Sequence, residues 1–211
     1  MRRVAVLIDG SNFIGSLYRA DLGYPALAPL ITFFAGRDAL SYARFYGAPP
    51  PREPWRRRWQ AFVAANRHIR GLDFFQGYRH ASSGEEKAID VALATDLLYG
   101  KIANHFDRVS VIGGDGDYVY ALKLARTVIS VRVYLIGSAS KALSRARVPF
   151  TVLQPAELIQ RGICNPPAGS PVPSAHRAPA ECTMEAVILY GSSASQAHRR
   201  TSGIDALPND G

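Results

Sequence analysis

Four aspartates of this chain sit where carboxylates can do chemistry. Asp9 ends the apolar run Val4-Ala5-Val6-Leu7-Ile8 and is followed at once by Gly10, Ser11 and Asn12. More than a hundred positions later Asp115 and Asp117 close the segment VSVIGGDGDY. There Gly113, Gly114 and Gly116 allow sharp turns and leave room for a phosphate. Between these two segments lies Lys87-Ala88-Ile89-Asp90-Val91-Ala92-Leu93-Ala94-Thr95-Asp96. Carboxylates gathered at one point repel, and burial raises their pKa unless a cation compensates. Hard cations such as Mg²⁺ or Mn²⁺ take oxygen ligands. A site of that kind activates water for attack on a phosphodiester and stabilises the leaving oxygen. His68, His80 and His105 are scattered and read as surface residues, so they offer no competing base or zinc site.

Elements must bring these carboxylates together. Val4 to Ile8 reads as a buried parallel strand. In open α/β sheets ligands bind at the carboxyl ends of strands, where the strand order reverses. If the strand at Arg108 to Ile112 lies beside the first, at about 4.8 Å, Asp9 and Asp115 face each other. Ser11 or Asn12 is expected to cap a helix that buries Phe13, Leu17 and Tyr18. Leu27 to Phe34 reads as a short helix and Ala39 to Tyr46 as a strand. A further helix enters at Pro54 and carries Trp55, Trp59, Phe62 and Ile69, and Leu72 to Phe75 is a third strand. Ser83-Gly84-Glu85-Glu86 fits a capping box for a long helix ending near Ala103. On that helix Ile89, Leu93 and Leu97 form the apolar stripe. Asp90 and Asp96 flank the stripe about 120° apart and about 9 Å along the axis, too far for one compact ion site. Asp90, nearer the helix start, is the expected ligand, with Asp96 and Ser11 in supporting positions. Asp117 reads equally as an N-cap for the helix Tyr118 to Arg126. Val131 to Ile136, a helix at Lys141 to Arg147, Phe150 to Leu153 and a terminal helical turn complete the pattern. Strands alternating with helices predict right-handed crossovers and a mainly parallel sheet covered on both faces.

The formal net charge is +8, and its distribution is uneven. Residues 1–162 hold 22 Lys and Arg against 13 Asp and Glu, whereas residues 163–211 hold 3 against 4. The basic part favours a polyanion such as nucleic acid. Beyond Gly162 the sequence turns rich in Pro, Ala and Ser, a composition expected to stay disordered, with Val187 to Tyr190 a marginal lone strand. Cys164 and Cys182 lie past the expected core and form neither a disulfide framework nor a zinc motif. No apolar run reaches about 18 residues, and Asp9 cuts short any signal-like segment. The expectation is a cytoplasmic protein with one domain over residues 1–162 and a tail over 163–211, with a homodimer as the candidate assembly.

IDGSN, then K-x-x-D-V-x-L-x-x-D, then GDGDY, in this order and spacing, resemble the NYN domain of the LabA-like group within the PIN-like ribonuclease superfamily. The resemblance spans roughly residues 2–155. It implies a three-layer α/β/α sandwich with a mainly parallel central sheet, and Mg²⁺- or Mn²⁺-dependent cleavage of RNA. It places the acidic site on Asp9, Asp90, Asp115 and Asp117, with Asn12 as a polar helper. Two positions depart from the family pattern. Gly116 stands where Ser is common between the last two aspartates, and Arg147-Val148-Pro149-Phe150 replaces a segment that usually carries an acidic residue.

Candidate RNA phosphate contacts are Lys87, Arg44 and Arg79 near the expected pocket, and Arg56 and Arg57 on the helix of Trp55 and Trp59. Basic residues at a helix start are mismatched to its macrodipole, which hints at a use for them. The two tryptophans fit a core role better than base stacking, given their helical spacing. Two other functions stand beside the nuclease. One is a regulatory RNA-binding module with an idle acidic pocket. The other, a phosphatase working through an aspartyl-phosphate, needs a second Asp two positions after the nucleophile, and Ser11 occupies that place.

Overall fold

A computed structural model describes residues 1–166 of the chain. The expected disordered tail, including Cys182 and the segment Val187 to Tyr190, therefore lies almost wholly outside the described residues. The first strand, β1 (Arg3–Asp9), is the centre of the molecule. Val4 through Ile8 are all 0% exposed, as an unbroken apolar run demands of a strand covered on both faces. It is followed by α1 (Gly10–Arg19), α2 (Leu27–Ala35), β2 (Ala39–Gly47), α3 (Trp55–Asn66) and β3 (Leu72–Gln76). A short hairpin of β4 (Tyr78–Arg79) and β5 (Glu86–Lys87) precedes α4 (Ile89–Ile102). The rest alternates as β6 (Arg108–Ile112), α5 (Val119–Ala125), β7 (Ser130–Ile136), α6 (Lys141–Arg145), β8 (Phe150–Leu153) and α7 (Pro155–Gln160).

The six long strands form one sheet in the order β3-β2-β1-β6-β7-β8. Every neighbouring pair is parallel. The two-residue period of a strand sorts β1 between two cores. Val6 and Ile8 pack with Phe13, Leu17, Leu30 and Trp59 from α1, α2 and α3. Ala5 and Leu7 pack with Leu93 and Leu97 of α4 and Leu122 of α5. The result is the α/β/α sandwich the sequence implies. Among the described residues no helix is long and apolar enough to cross a membrane.

Three local expectations are corrected. Helix α1 is capped by Asp9 itself, whose Oδ1 accepts from the Asn12 amide at 3.0 Å, not by Ser11 or Asn12. Ser83 to Glu86 forms no capping box. Arg79 instead pairs with Glu86 and donates to the carbonyls of Gly84 at 2.9 Å and Pro49 at 3.2 Å. An ion pair only 15% and 17% exposed, with two carbonyls also satisfied, favours the hairpin over a cap. Cys164, expected past the core, is buried with Ile163 among the residues of α2 and α7. The Ala26 amide, at the start of α2, donates to the Ile163 carbonyl at 2.7 Å.

Candidate metal centre

The strand order reverses between β1 and β6, because β2 and β3 continue to one side and β7 and β8 to the other. A crevice opens there at the carboxyl ends, where such sheets place their ligands. Ile8 pairs with Ile112, so the chain segments that leave the sheet side by side are Asp9-Gly10 and Gly113-Gly114-Asp115. A Cβ on Gly10 would meet the Phe45 ring at 2.1 Å and the Tyr46 carbonyl at 2.5 Å, so the turn after Asp9 needs a residue without a side chain. Gly113 adopts φ +152°, and a Cβ there would lie 2.8 Å from Asp9 Cβ and 2.4 Å from Tyr118 Oη. Asn12 joins the two turns by accepting from the Gly114 amide through Oδ1 at 2.9 Å.

The third segment comes from α4. Ala88, in the left-handed region at φ +73°, bends the chain out of the hairpin and into that helix. Asp90 then lies in the first turn, where a helix N-terminus favours negative charge. Asp9, Asp90 and Asp115 each direct one carboxylate oxygen to a common point, and these oxygens all lie within 4.8 Å of one another. Asp9 is 3% exposed, while Asp90 and Asp115 are half-buried. Burial pushes the Asp9 carboxyl up to about 8, and repulsion from Asp90, Asp115 and Glu86 adds to it against the Asn12 amide. Asp90 is pushed up to about 6 by burial, then by Asp115, Asp117 and Glu86. Three oxygen donors, two of them from carboxyls that burial and repulsion hold back from ionising, fit a hard divalent cation, whose charge would remove both costs.

The remaining candidates fall elsewhere. Asp117 is exposed and stands outside the trio, and its amide donates to Asp115 Oδ1 at 3.2 Å. Ser11 is half-buried in the first turn of α1. Asp96 is engaged away from the trio, accepting from Tyr46 Oη and Arg44 Nη1, both at 2.7 Å. Arg44 also bridges Asp73 at 2.8 Å, so it works as an internal tie between β2, β3 and α4. Arg79 is the hairpin's internal tie. Lys87 pairs with Glu85 at 3.0 Å. Arg56 donates to the Pro51 carbonyl and Arg57 reaches Glu53 at 3.5 Å.

Sequence reasoning overlooked two residues at the centre. Glu86, placed in a helix cap by its spacing from Ser83, brings a fourth negative charge within reach of Asp9 and Asp90. Tyr118 is 1% exposed, and its hydroxyl accepts from the Asp115 amide at 3.1 Å beneath the acidic cluster. The alternation Tyr78-Arg79 and Glu86-Lys87 across a Ser-Ser-Gly turn is the signal that marks the hairpin, and so Glu86.

A parallel α/β sandwich with clustered aspartates at its switch point defines a class of candidate metal-dependent proteins. The sequence matches the NYN domain model over residues 3–154, and the chain belongs to the NYN-domain family. No curated relative matches it. Among solved structures, a protein of unknown function from Vibrio parahaemolyticus is similar in fold, with a TM-score of 0.54 and 20% identity over 73% of this chain and 94% of that one. A nicotinamidase from Staphylococcus aureus matches at a TM-score of 0.34 and 13% identity over 69% of this chain and 90% of that one.

Proposed function

We propose that residues 1–162 are a divalent-metal-dependent endoribonuclease of the LabA-like group, acting in the cytoplasm. One observation carries the reading: three carboxylates from three distant segments meet within 4.8 Å at the switch point, the deepest of them buried. Asp9, Asp90 and Asp115 would hold Mg²⁺ or Mn²⁺, with Asp117 adding negative charge from the exposed side. A bound ion of this kind supplies charge stabilisation at the phosphodiester and makes water acidic enough to attack it near neutral pH. The chain's own contribution is positional. The Asn12 amide fixes one oxygen of Asp9, the Asn12 side chain fixes the Gly114 turn, and Tyr118 fixes the Asp115 amide. Asp9 keeps a proton near neutral pH when no cation is present, so loading the site requires that proton to leave.

The test compares wild type, Asp9→Asn and Asp115→Asn on end-labelled RNA, with Mn²⁺ and with EDTA. Cutting that needs Mn²⁺ and disappears in both variants is the expected result. Binding without cutting in any metal would make the chain a regulatory RNA-binding module. Phosphate release from a monoester would make it a phosphatase.

A further inference from the structure

A cleft of about 650 Å³ opens beside α3, and the metal centre does not use it. One wall is a single face of that helix, on which Arg56, Gln60, Val63 and Arg67 recur at helical spacing. The opposite wall is Pro49 to Pro51 with Gln76, at the carboxyl ends of β2 and β3. Tyr46 pairs with Asp9, and Gly47, the next residue, pairs with Gln76, so the cleft leaves the same sheet edge as the acidic centre. Arg79, donating to the Pro49 carbonyl, fixes the wall between cleft and hairpin.

Cationic side chains mark the cleft at two points. Arg56 and Arg67 lie eleven positions apart, which is about 16 Å along a helix axis. Among the described residues neither has a carboxylate partner, in contrast to Arg44, Arg79 and Arg108, and the one bond Arg56 makes, to the Pro51 carbonyl on the opposite wall, leaves its charge uncompensated. Between the two charges the lining offers amides, proline rings and aliphatic carbons. Positive charge spaced along a concave, partly apolar channel is what a single nucleic-acid strand requires, with its phosphates on the cations and its sugars and bases against flat apolar surface.

We infer that the α3 cleft is the binding groove for the single strand flanking the scissile phosphodiester, with Arg56 and Arg67 as its phosphate contacts. The inference rests on the nuclease reading and adds to it a path for the flanking strand, along the α3 cleft. The test measures fluorescence anisotropy of the full chain with a labelled twelve-nucleotide oligo-uridine in EDTA, across a salt series. Arg56→Glu/Arg67→Glu is compared with Arg126→Glu, an exposed charge reversal at the C-terminal cap of α5, a helix that packs in the other core from α3. The double variant is expected to weaken binding at least about ten-fold and to lower the salt slope by about 1.4, at about 0.7 per phosphate contact. The Arg126 variant is expected to change binding less than two-fold.

If the double reversal disturbs the melting curve, Arg56→Gln/Arg67→Gln keeps the comparison, with a smaller loss in the same direction. Equal binding by wild type and the double variant overturns the groove. So does preference for a duplex of the same length, or displacement of the probe by polyglutamate but not by unlabelled strand. A matched oligodeoxythymidine separates general phosphate recognition from a preference for RNA, and tight binding of either supports the groove. The two proposals fail separately. Metal-dependent cutting with unchanged binding in the double variant sinks the groove alone, whereas groove-dependent binding without cutting in any metal sinks the nuclease alone.

Discussion

Without a divalent ion, Asp9 is a buried carboxylate facing two others, and its energetics follow from that. Its folded pKa of about 8, and that of Asp90 at about 6, stand above the unfolded value near 3.9. A group whose pKa is raised by folding favours the native state when protonated. That stability is fully present at low pH and is lost as pH rises through about 6 and then about 8. In EDTA the melting temperature should therefore fall between pH 5 and pH 8, as differential scanning calorimetry would show. Added Mn²⁺ should raise it more at pH 8 than at pH 5, because only the ionised trio binds the cation. A profile flat in pH and indifferent to Mn²⁺ would contradict the assignment. By the same logic Asp9→Asn should melt higher than wild type in EDTA at pH 8, because it removes the unfavourable charge and keeps an acceptor for the Asn12 amide. The same variant should lose cutting, so stability and activity part company at one atom.

Elements set where these residues stand, and their tolerance is narrow. Gly113→Ala would drive a methyl group toward Asp9 Cβ and Tyr118 Oη in a backbone conformation that favours glycine. A loss of about 2–4 kcal/mol is expected in urea unfolding, with Mn²⁺ affinity reduced as well. Arg79→Ala leaves Glu86 part-buried without its cation and two carbonyls without their donor. It should cost about 2–4 kcal/mol and add negative charge beside Asp90, visible as a further rise in that carboxyl's pKa by NMR titration. These elements were unequally legible in the sequence. The run Val4 to Ile8 and the stripe Ile89, Leu93 and Leu97 follow from periodicity, while the adjacency of β1 and β6 is a condition of the switch-point reading that the strand order meets. The hairpin does not follow as readily, because the alternation of two two-residue strands is too short a signal to outweigh Ser83 with Glu86, which imitates a helix start. Nor can composition tell which arginines are spent internally. Arg44 and Arg79 look as free in the sequence as Arg67, yet each is committed to carboxylates that only the folded chain brings near.

At the scale of the whole molecule, the core closes later in the chain than the change of composition at Gly162 suggests. Ile163 is 0% exposed and Cys164 is 4% exposed. A chain ending at residue 166 should melt within about 2 °C of the full chain, whereas one ending at 161 should lose about 2–4 kcal/mol with the buried Ile163 side chain and the bond to Ala26. Circular dichroism on the two truncations decides it.

The acidic trio also draws on positions 9, 90 and 115, and β1 cannot pair with β6 until both exist. During synthesis, then, the three carboxylates cannot converge while roughly the first half of the chain emerges. Any ion the trio holds is therefore captured only after the aspartate at position 115 clears the ribosomal tunnel, and the delay is written into the spacing of the three residues along the chain.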